Sequence, residues 1–229
     1  VLLNVSNIID MSWLKNPVYK DHIRSVLYIW QGGMVSGNAV ADVLSGKVSP
    51  SGKLTDTIAC SLADYPAAND FGGTVRNFYT EDIYVGYRYF ETFCPEKVMY
   101  EFGFGLSYSK FDIEILKAET VTEESKVGGA WGSHGVSIDN GTCAGKEVQI
   151  TICVKNTGDC RGKEVVQVYV QAPQGKLGKP ARELKAFAKT KELAPGEKQE
   201  MTLHIPVKNL ASYDDSGVTG HKSCYVSEA

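Results

Sequence analysis

The chain has 229 residues, 43% of them hydrophobic and 22% charged, the make-up of a globular protein with material for one large core or two ordinary ones. Its formal net charge of −3 excludes nucleic acid as the main partner, because binding that backbone takes a basic surface. No apolar run approaches the ~18 residues that cross a membrane, so a membrane is not expected as a partner either.

The first residue is Val1, and Val1-Leu2-Leu3-Asn4-Val5 already reads as the middle of a buried strand. The chain is therefore expected to be a piece of something longer. A second apolar run, Val26-Leu27-Tyr28-Ile29-Trp30, lacks alternation, which predicts a strand buried on both faces of a helix-covered parallel sheet. The polar, partly helical connection through Trp13 and Tyr19 has the length of a short crossover between parallel strands. After the second strand, the pair Gly32-Gly33 lets the backbone turn sharply and leaves room for something to approach it. From Gly37 onward Val40, Val43 and Leu44 fall at helical spacing, and Gly46 supplies the left-handed stop a helix end favours. The unit is strand, glycine turn, helix, and open parallel sheets bind ligands outside the carboxyl ends of their strands.

Residues 58–80, with Pro66, Asn69, Gly72 and Gly73, read as a long surface loop, and loops of that length are usually functional or mobile. Two aromatic-rich runs follow, Glu81-Asp82-Ile83-Tyr84-Val85-Gly86-Tyr87-Arg88-Tyr89-Phe90 and Tyr100-Glu101-Phe102-Gly103-Phe104-Gly105-Leu106-Ser107-Tyr108. Composition changes after Phe111. Residues 118–145 are rich in Gly, Ser, Thr and charge and read as a loop or insertion. Beyond them alternation takes over: the even positions of 148–154 are apolar, as are Val166, Val168 and Val170, and Met201, Leu203 and Ile205. Such strands bury one face. Turn signals at Asn156-Thr157-Gly158-Asp159, Ala172-Pro173-Gln174-Gly175 and Ala194-Pro195-Gly196 separate them, which predicts a β-sandwich. The expected division is thus 1–111 as α/β and 112–229 as all-β.

Chemistry-bearing residues are sparse. The six cysteines, Cys60, Cys94, Cys143, Cys153, Cys160 and Cys224, show no C-x-x-C pair, which makes a zinc site improbable; they read as free thiols and hence as a cytoplasmic protein, with a Cys153–Cys160 bridge as the secreted alternative. His22, His134, His204 and His221 are scattered and make no metal set or catalytic triad. A phosphate loop is set aside, because five residues instead of four separate Gly46 from Gly52-Lys53, and Leu54 stands where a hydroxyl would bind magnesium. Glu81 and Asp82 are adjacent acids, and neighbouring residues do not face a common point in strand or helix; a structural role, bonded to backbone or to Arg88, is expected of them.

Residues 26–57, running through Trp30, Gly32-Gly33, Gly37-Asn38-Ala39, Ala41-Asp42-Val43-Leu44 and Pro50-Ser51-Gly52-Lys53-Leu54, resemble the C-terminal α/β domain of family 3 glycoside hydrolases, the β-glucosidase group. The runs at 81–90 and 100–108 look like two further signatures of that family. The alternating half resembles its fibronectin type III-like domain, with Gly162–Tyr169, Arg182–Lys189 and Leu193-Ala194-Pro195-Gly196-Glu197 carrying the match. The family sandwich ordinarily has one more strand after Tyr225-Val226, so the chain is expected to be cut short at Ala229 too. The resemblance implies a partial α/β sandwich with a parallel sheet, then a fibronectin type III-like β-sandwich. It implies an enzyme that removes β-linked glucose from oligosaccharides or β-glucosides by a retaining mechanism, without metal or organic cofactor. The nucleophile would lie on a (β/α)8 barrel domain of the same protein and the acid/base Glu upstream of Val1, so no catalytic residue is carried over. Trp30, Gln31 and Gly33, at the carboxyl end of the second strand, are the candidates for contact with the sugar, since aromatic faces stack on pyranose rings. The Tyr and Phe residues of 84–108 have two readings, a sugar platform or a cement between domains. The rival function is a non-catalytic carbohydrate-binding or scaffold module. Sugar specificity (β-xyloside and N-acetylglucosaminide included) and oligomeric state stay open.

Overall fold

The computed structural model of the chain describes residues 1–70, 72–122 and 146–227. It is mostly β with few helices, and it divides into two units, Val1–Ser109 with Cys160–Gly162, and Lys110–Asp159 with Lys163–Ala229.

In the first unit β1 (Leu2–Leu3) and β2 (Leu27–Tyr28) pair in parallel, Leu2 opposite Leu27 and Leu3 opposite Tyr28. Backbone bonds from Leu27 N to Val1 O and from Ile29 N to Leu3 O, 2.9 and 3.0 Å, extend the ladder by one step at each end. The direction is that expected, but the strands are shorter than the apolar runs, with Leu2 exposed and Leu3, Leu27 and Tyr28 half-buried; β1 and β2 have only each other as ladder partners among the described residues. A single 3-10 turn, Ser12–Lys15, carries Trp13 in the connection. Helix α1 runs Ser36–Leu44; it ends where the Ser45 N–H reaches Ala41 O (2.9 Å) and Gly46 takes φ +77°.

The expected loop over 58–80 is partly ordered. Its start forms β3 (Ile58–Ala59), antiparallel to β4 (Val98–Tyr100), and 3-10 turns follow at Leu62–Asp64 and Pro66–Asn69. Between the two strands lies α2 (Tyr87–Phe93), opened by Gly86 at φ +60°. Tyr87 and Phe90, three apart, turn inward, and Phe90 closes a core with Ala59 and Cys94, flanked by Tyr65, Tyr89 and Val98.

The second unit contains β5 (Phe111–Thr122), β6 (Lys146–Asn156), β7 (Val165–Val170), β8 (Glu183–Lys189), β9 (Lys198–Pro206), β10 (Ser212–Asp214) and β11 (Cys224–Val226). All its pairings are antiparallel: β5-β6-β9 in one sheet, β7-β8 in a second, β10-β11 in a small third. Ile152, Val154 and Leu203 from the first sheet meet Val166, Ala186 and Ala188 of the second and Leu193 of the following turn, a two-layer packing in which the even positions of β6 point inward. Cys153 is the exception: it belongs to the outward set and is still buried. The region read as a loop from residue 118 needs correction, since Ala118–Thr122 continue β5 opposite Lys146–Ile150; the rest of that stretch, 123–145, lies outside the described residues. At the end of β6 the buried Asn156 organises two turns. Its Nδ2 donates to Leu193 O at 2.8 Å, its Oδ1 accepts from Gly158 N at 3.0 Å, and its carbonyl accepts from Gly196 N at 2.9 Å.

Candidate functional site

The strand, turn and helix of residues 26–46 come together as expected, but the two glycines do different work. Chain direction changes at Trp30, whose φ of +52° is a left-handed conformation that disfavours any residue but glycine and often marks functional positions. Its ring rests against Tyr28 with centroids 4.5 Å apart, and Tyr28 is tied down by its hydroxyl, which donates to Asn7 O at 2.5 Å. Burial raises the Tyr28 pKa, so the phenol stays protonated and keeps donating. Gln31 is exposed. Gly32 is the steric glycine, because a Cβ there would overlap the Ser36 side chain. Around Gly33 there is nothing within 4 Å of a built Cβ, and its carbonyl accepts the Ser36 N–H at 3.0 Å. The surface over Gly33 is therefore open, and Met34 beside it is fully exposed. No side chain caps α1; besides the Ser36 N–H on Gly33 O, the Ala39 N–H closes the first turn on Val35 O at 3.2 Å.

What lies behind the turn explains the next two motifs. Lys53 Nζ donates to Gly105 O at 2.8 Å, Leu54 N to Phe104 O at 2.8 Å, and Gly103 N to Leu54 O at 2.7 Å. The Ser49 and Ser107 hydroxyls are 2.9 Å apart, and the Tyr108 hydroxyl donates to Val43 O in α1 at 2.9 Å. A Cβ at Gly105 would overlap Gly52 O, so glycine is what lets the segments 47–57 and 103–108 lie backbone to backbone. Together they brace the C-terminal half of α1, and with it the turn.

Tyr65 is a second tie. Its hydroxyl donates to Thr57 O at 2.9 Å and accepts from Ala59 N at 3.0 Å, and burial raises its pKa. Asp10 is held below the usual carboxylate range by hydrogen bonds from Ser12, with a further one from Leu62 N, so it acts as a loop staple. The expected bonding of Glu81 or Asp82 to backbone or to Arg88 is not found: neither carboxylate has a hydrogen-bond or ion-pair partner among the described residues. Order in that turn comes from the main chain, with Tyr84 N on Glu81 O at 2.8 Å, Asp82 N on Tyr79 O at 3.3 Å, and Asp82 at φ +49°. The aromatic residues of 84–108 pack on one another: Tyr84 on Phe93 at 4.8 Å, Tyr87 on Phe102 at 5.0 Å, Tyr100 on Phe104 at 5.2 Å. Edge-to-face and tilted contacts of this kind stabilise a fold. No group of three or more His, Cys, Asp or Glu among the described residues is arranged to hold a metal ion.

Comparison with known proteins bears on this geometry. Residues 1–108 match the model of the glycosyl hydrolase family 3 C-terminal domain, and residues 164–223 that of the fibronectin type III-like domain. The chain is 46% identical over 229 residues to a β-glucosidase of Ruminococcus albus, covering all of this chain and 21% of that protein. It is 48% identical over 220 residues to β-glucosidase A of Butyrivibrio fibrisolvens, covering 95% of this chain and 25% of that one. The crystal structure of a β-glucosidase from Paenibacillus barengoltzii superposes with a TM-score of 0.88 at 53% identity, over 100% of this chain and 23% of that one. β-Glucosidase 3B of Thermotoga neapolitana, solved with glucose, superposes at 0.74 with 39% identity, over 93% and 26%. The chain thus spans about a fifth to a quarter of the length of these relatives. With both domain matches falling in family order along a chain of this fold, the chain belongs to glycoside hydrolase family 3.

Proposed function

We propose that the chain is the C-terminal portion of a β-glucosidase-like enzyme that removes terminal β-linked glucose by a retaining mechanism. The observation that carries the reading is the match along the full 229 residues to proteins named β-glucosidase, of which it spans only 21% in the Ruminococcus albus case. A retaining glycosidase needs two carboxyl groups about 5–5.5 Å apart, one as nucleophile and one as acid/base. In this reading both belong to other parts of the enzyme, the nucleophile on a (β/α)8 barrel domain that is this chain's principal partner. The first unit is then part of an α/β sandwich, and its strand-turn-helix forms one wall of the sugar pocket. Trp30 offers a ring face to the pyranose, Gln31 offers an amide to its hydroxyls, and the bare backbone at Gly33 lets the sugar approach. The strained φ of Trp30 and the open space at Gly33 support those assignments. The free thiols of Cys60, Cys94, Cys153 and Cys224 suit a cytoplasmic enzyme.

A chimera tests this. Replacing the matched segment of the Ruminococcus albus β-glucosidase by this chain should leave an enzyme that hydrolyses an aryl β-glucoside. A chimera that folds and shows no turnover would contradict the proposal.

A further inference from the structure

The φ of +52° at Trp30 lies in the left-handed region, where a bulky residue persists only if its surroundings over-determine it. Strand alternation puts Tyr28 and Trp30, two residues apart, on one face. Their rings lie 4.5 Å apart between centroids at an interplanar angle of 47°, and among the described residues Tyr28 is the aromatic partner of the indole. Tyr28 is in turn fixed at its far end. Its hydroxyl donates to Asn7 O at 2.5 Å, reaching from β2 to the segment that follows β1. That segment is itself anchored: the Asp10 carboxylate accepts from Ser12 N at 2.7 Å and from Leu62 N at 3.2 Å, and Met11 is buried. A line of contacts thus runs from Leu62 through the 7–12 segment and the Tyr28 ring to Trp30. It ends at the carboxyl end of a parallel pair, where open α/β sheets meet their ligands.

We infer that Tyr28 is a positioning residue of the sugar site: its ring, tied through the hydroxyl to Asn7, holds the Trp30 indole in the orientation that meets the pyranose. The inference rests on the reading of Trp30 under the proposed function, and adds the residue that acts through it. An aromatic pair favours tilted and offset arrangements, but two rings in contact can still shift together. The Tyr28 hydroxyl removes that freedom by pinning one ring to the main chain. A phenylalanine at 28 keeps the ring and loses the pin, so the indole can leave its present rotamer. Holding a side chain ready in its bound orientation spares the cost of ordering it when ligand arrives. The effect therefore falls on binding of the sugar and leaves the reacting carboxylates untouched. It also exists only while Trp30 is present, which separates it from a tie that merely stabilises the fold.

The test has two arms. In the 229-residue chain labelled with 5-fluorotryptophan, each of the three tryptophans gives a fluorine resonance, and Trp30→Phe identifies that of Trp30. Tyr28→Phe should shift and broaden the Trp30 resonance and leave the other two in place, which also shows that the fold is kept. In the Ruminococcus albus chimera, assayed on an aryl β-glucoside, Tyr28→Phe should raise KM about three- to tenfold. With kcat nearly unchanged, that is the mark of binding lost equally from ground and transition states. On a Trp30→Ala background the same substitution should change KM by less than about twofold, because Tyr28 then has no indole to hold. An unmoved Trp30 resonance, an unchanged KM, an equal loss with and without Trp30, or a fall in kcat alone would each overturn the inference. So would a Trp30→Ala chimera with unchanged KM, since Trp30 would then lie outside the site. Failure here is separable from failure of the functional proposal. An active chimera whose Tyr28→Phe loss is independent of Trp30 leaves the enzyme reading standing and removes the positioning role. An inactive chimera overturns the enzyme reading, while the fluorine arm still decides on the chain itself whether Tyr28 holds Trp30.

Discussion

Replacing Asn156 by Ala probes how the sandwich holds its turns together. The side chain is fully buried, and its amide closes the distance between β6 and the turn that carries Leu193. In the alanine variant the Leu193 carbonyl loses its 2.8 Å donor inside the core. Gly158 N loses Asn156 Oδ1 but keeps a 3.2 Å bond to Lys110 O, so one of the two orphaned groups is partly compensated. An unsatisfied buried group costs about 1–3 kcal/mol; with one such group and a small void beside it, the expected loss is about 2–3 kcal/mol. The assay is urea denaturation. With a slope of about 1–3 kcal/mol/M, the midpoint should fall by about 1 M or more with the slope unchanged. Asn156→Asp sharpens the result, because it keeps an acceptor for Gly158 and sets a second acceptor against the Leu193 carbonyl. It should therefore be at least as harmful as alanine at neutral pH and recover part of the loss in acid, where the carboxyl can donate. A change within about 0.5 kcal/mol for Asn156→Ala, the range of an ordinary surface substitution, would refute the claim that this amide ties the turns.

Two further predictions follow from other parts of the molecule. Asp214 is fully buried and accepts from the N–H groups of Gly217, Val218 and Thr219 and from the Thr219 hydroxyl; these bonds, that of the hydroxyl first, bring its pKa from 3.8 down to about 2. Because the folded value lies below the unfolded one, its stabilisation is complete above the unfolded value and is lost as pH falls toward 2; the stability difference between the parent chain and Asp214→Ala, measured by thermal melts across that range, should shrink as the pH drops. At the glycine turn, Gly32→Ala must push Ser36 and the start of α1 aside and should lower Tm, while Gly33→Ala meets nothing within 4 Å and should leave Tm unchanged but raise KM in the chimera. Equal thermal effects of the two would contradict the division of labour between them.

How much of this was legible in the sequence depended on which signal dominated locally. Where side-chain period and turn chemistry agreed, the reading was direct: the even positions of β6 face the core, Gly46 ends α1 with a positive φ, and Asn156 opens a turn. Helix α2 was hidden because Tyr-Arg-Tyr-Phe is rich in residues that also favour strands; Gly86 and the inward spacing of Tyr87 and Phe90 were the available clues. The end of β5 was misread because Ala118–Thr122 look polar, yet they pair residue by residue with Lys146–Ile150, and the ladder outweighs composition. Within the candidate site, sequence identified the glycine pair but not which glycine is pinned, since that depends on where Ser36 lies. It also identified the aromatic runs of 84–108 without separating their rings, of which Phe90 is fully buried and Phe93 more than half exposed. Burial is set by the whole fold, and no local pattern reports it.

The central claim is that the chain lends structure and a pocket wall to a glycosidase whose reacting carboxylates lie elsewhere. Stopped kinetic assay of the purified 229-residue chain on an aryl β-glucoside tests it most directly. No release of the phenol above the uncatalysed rate is expected, from the parent chain or from Glu81→Gln. Clear turnover by the chain alone, abolished in Glu81→Gln, would place a catalytic carboxylate inside this sequence and contradict the account.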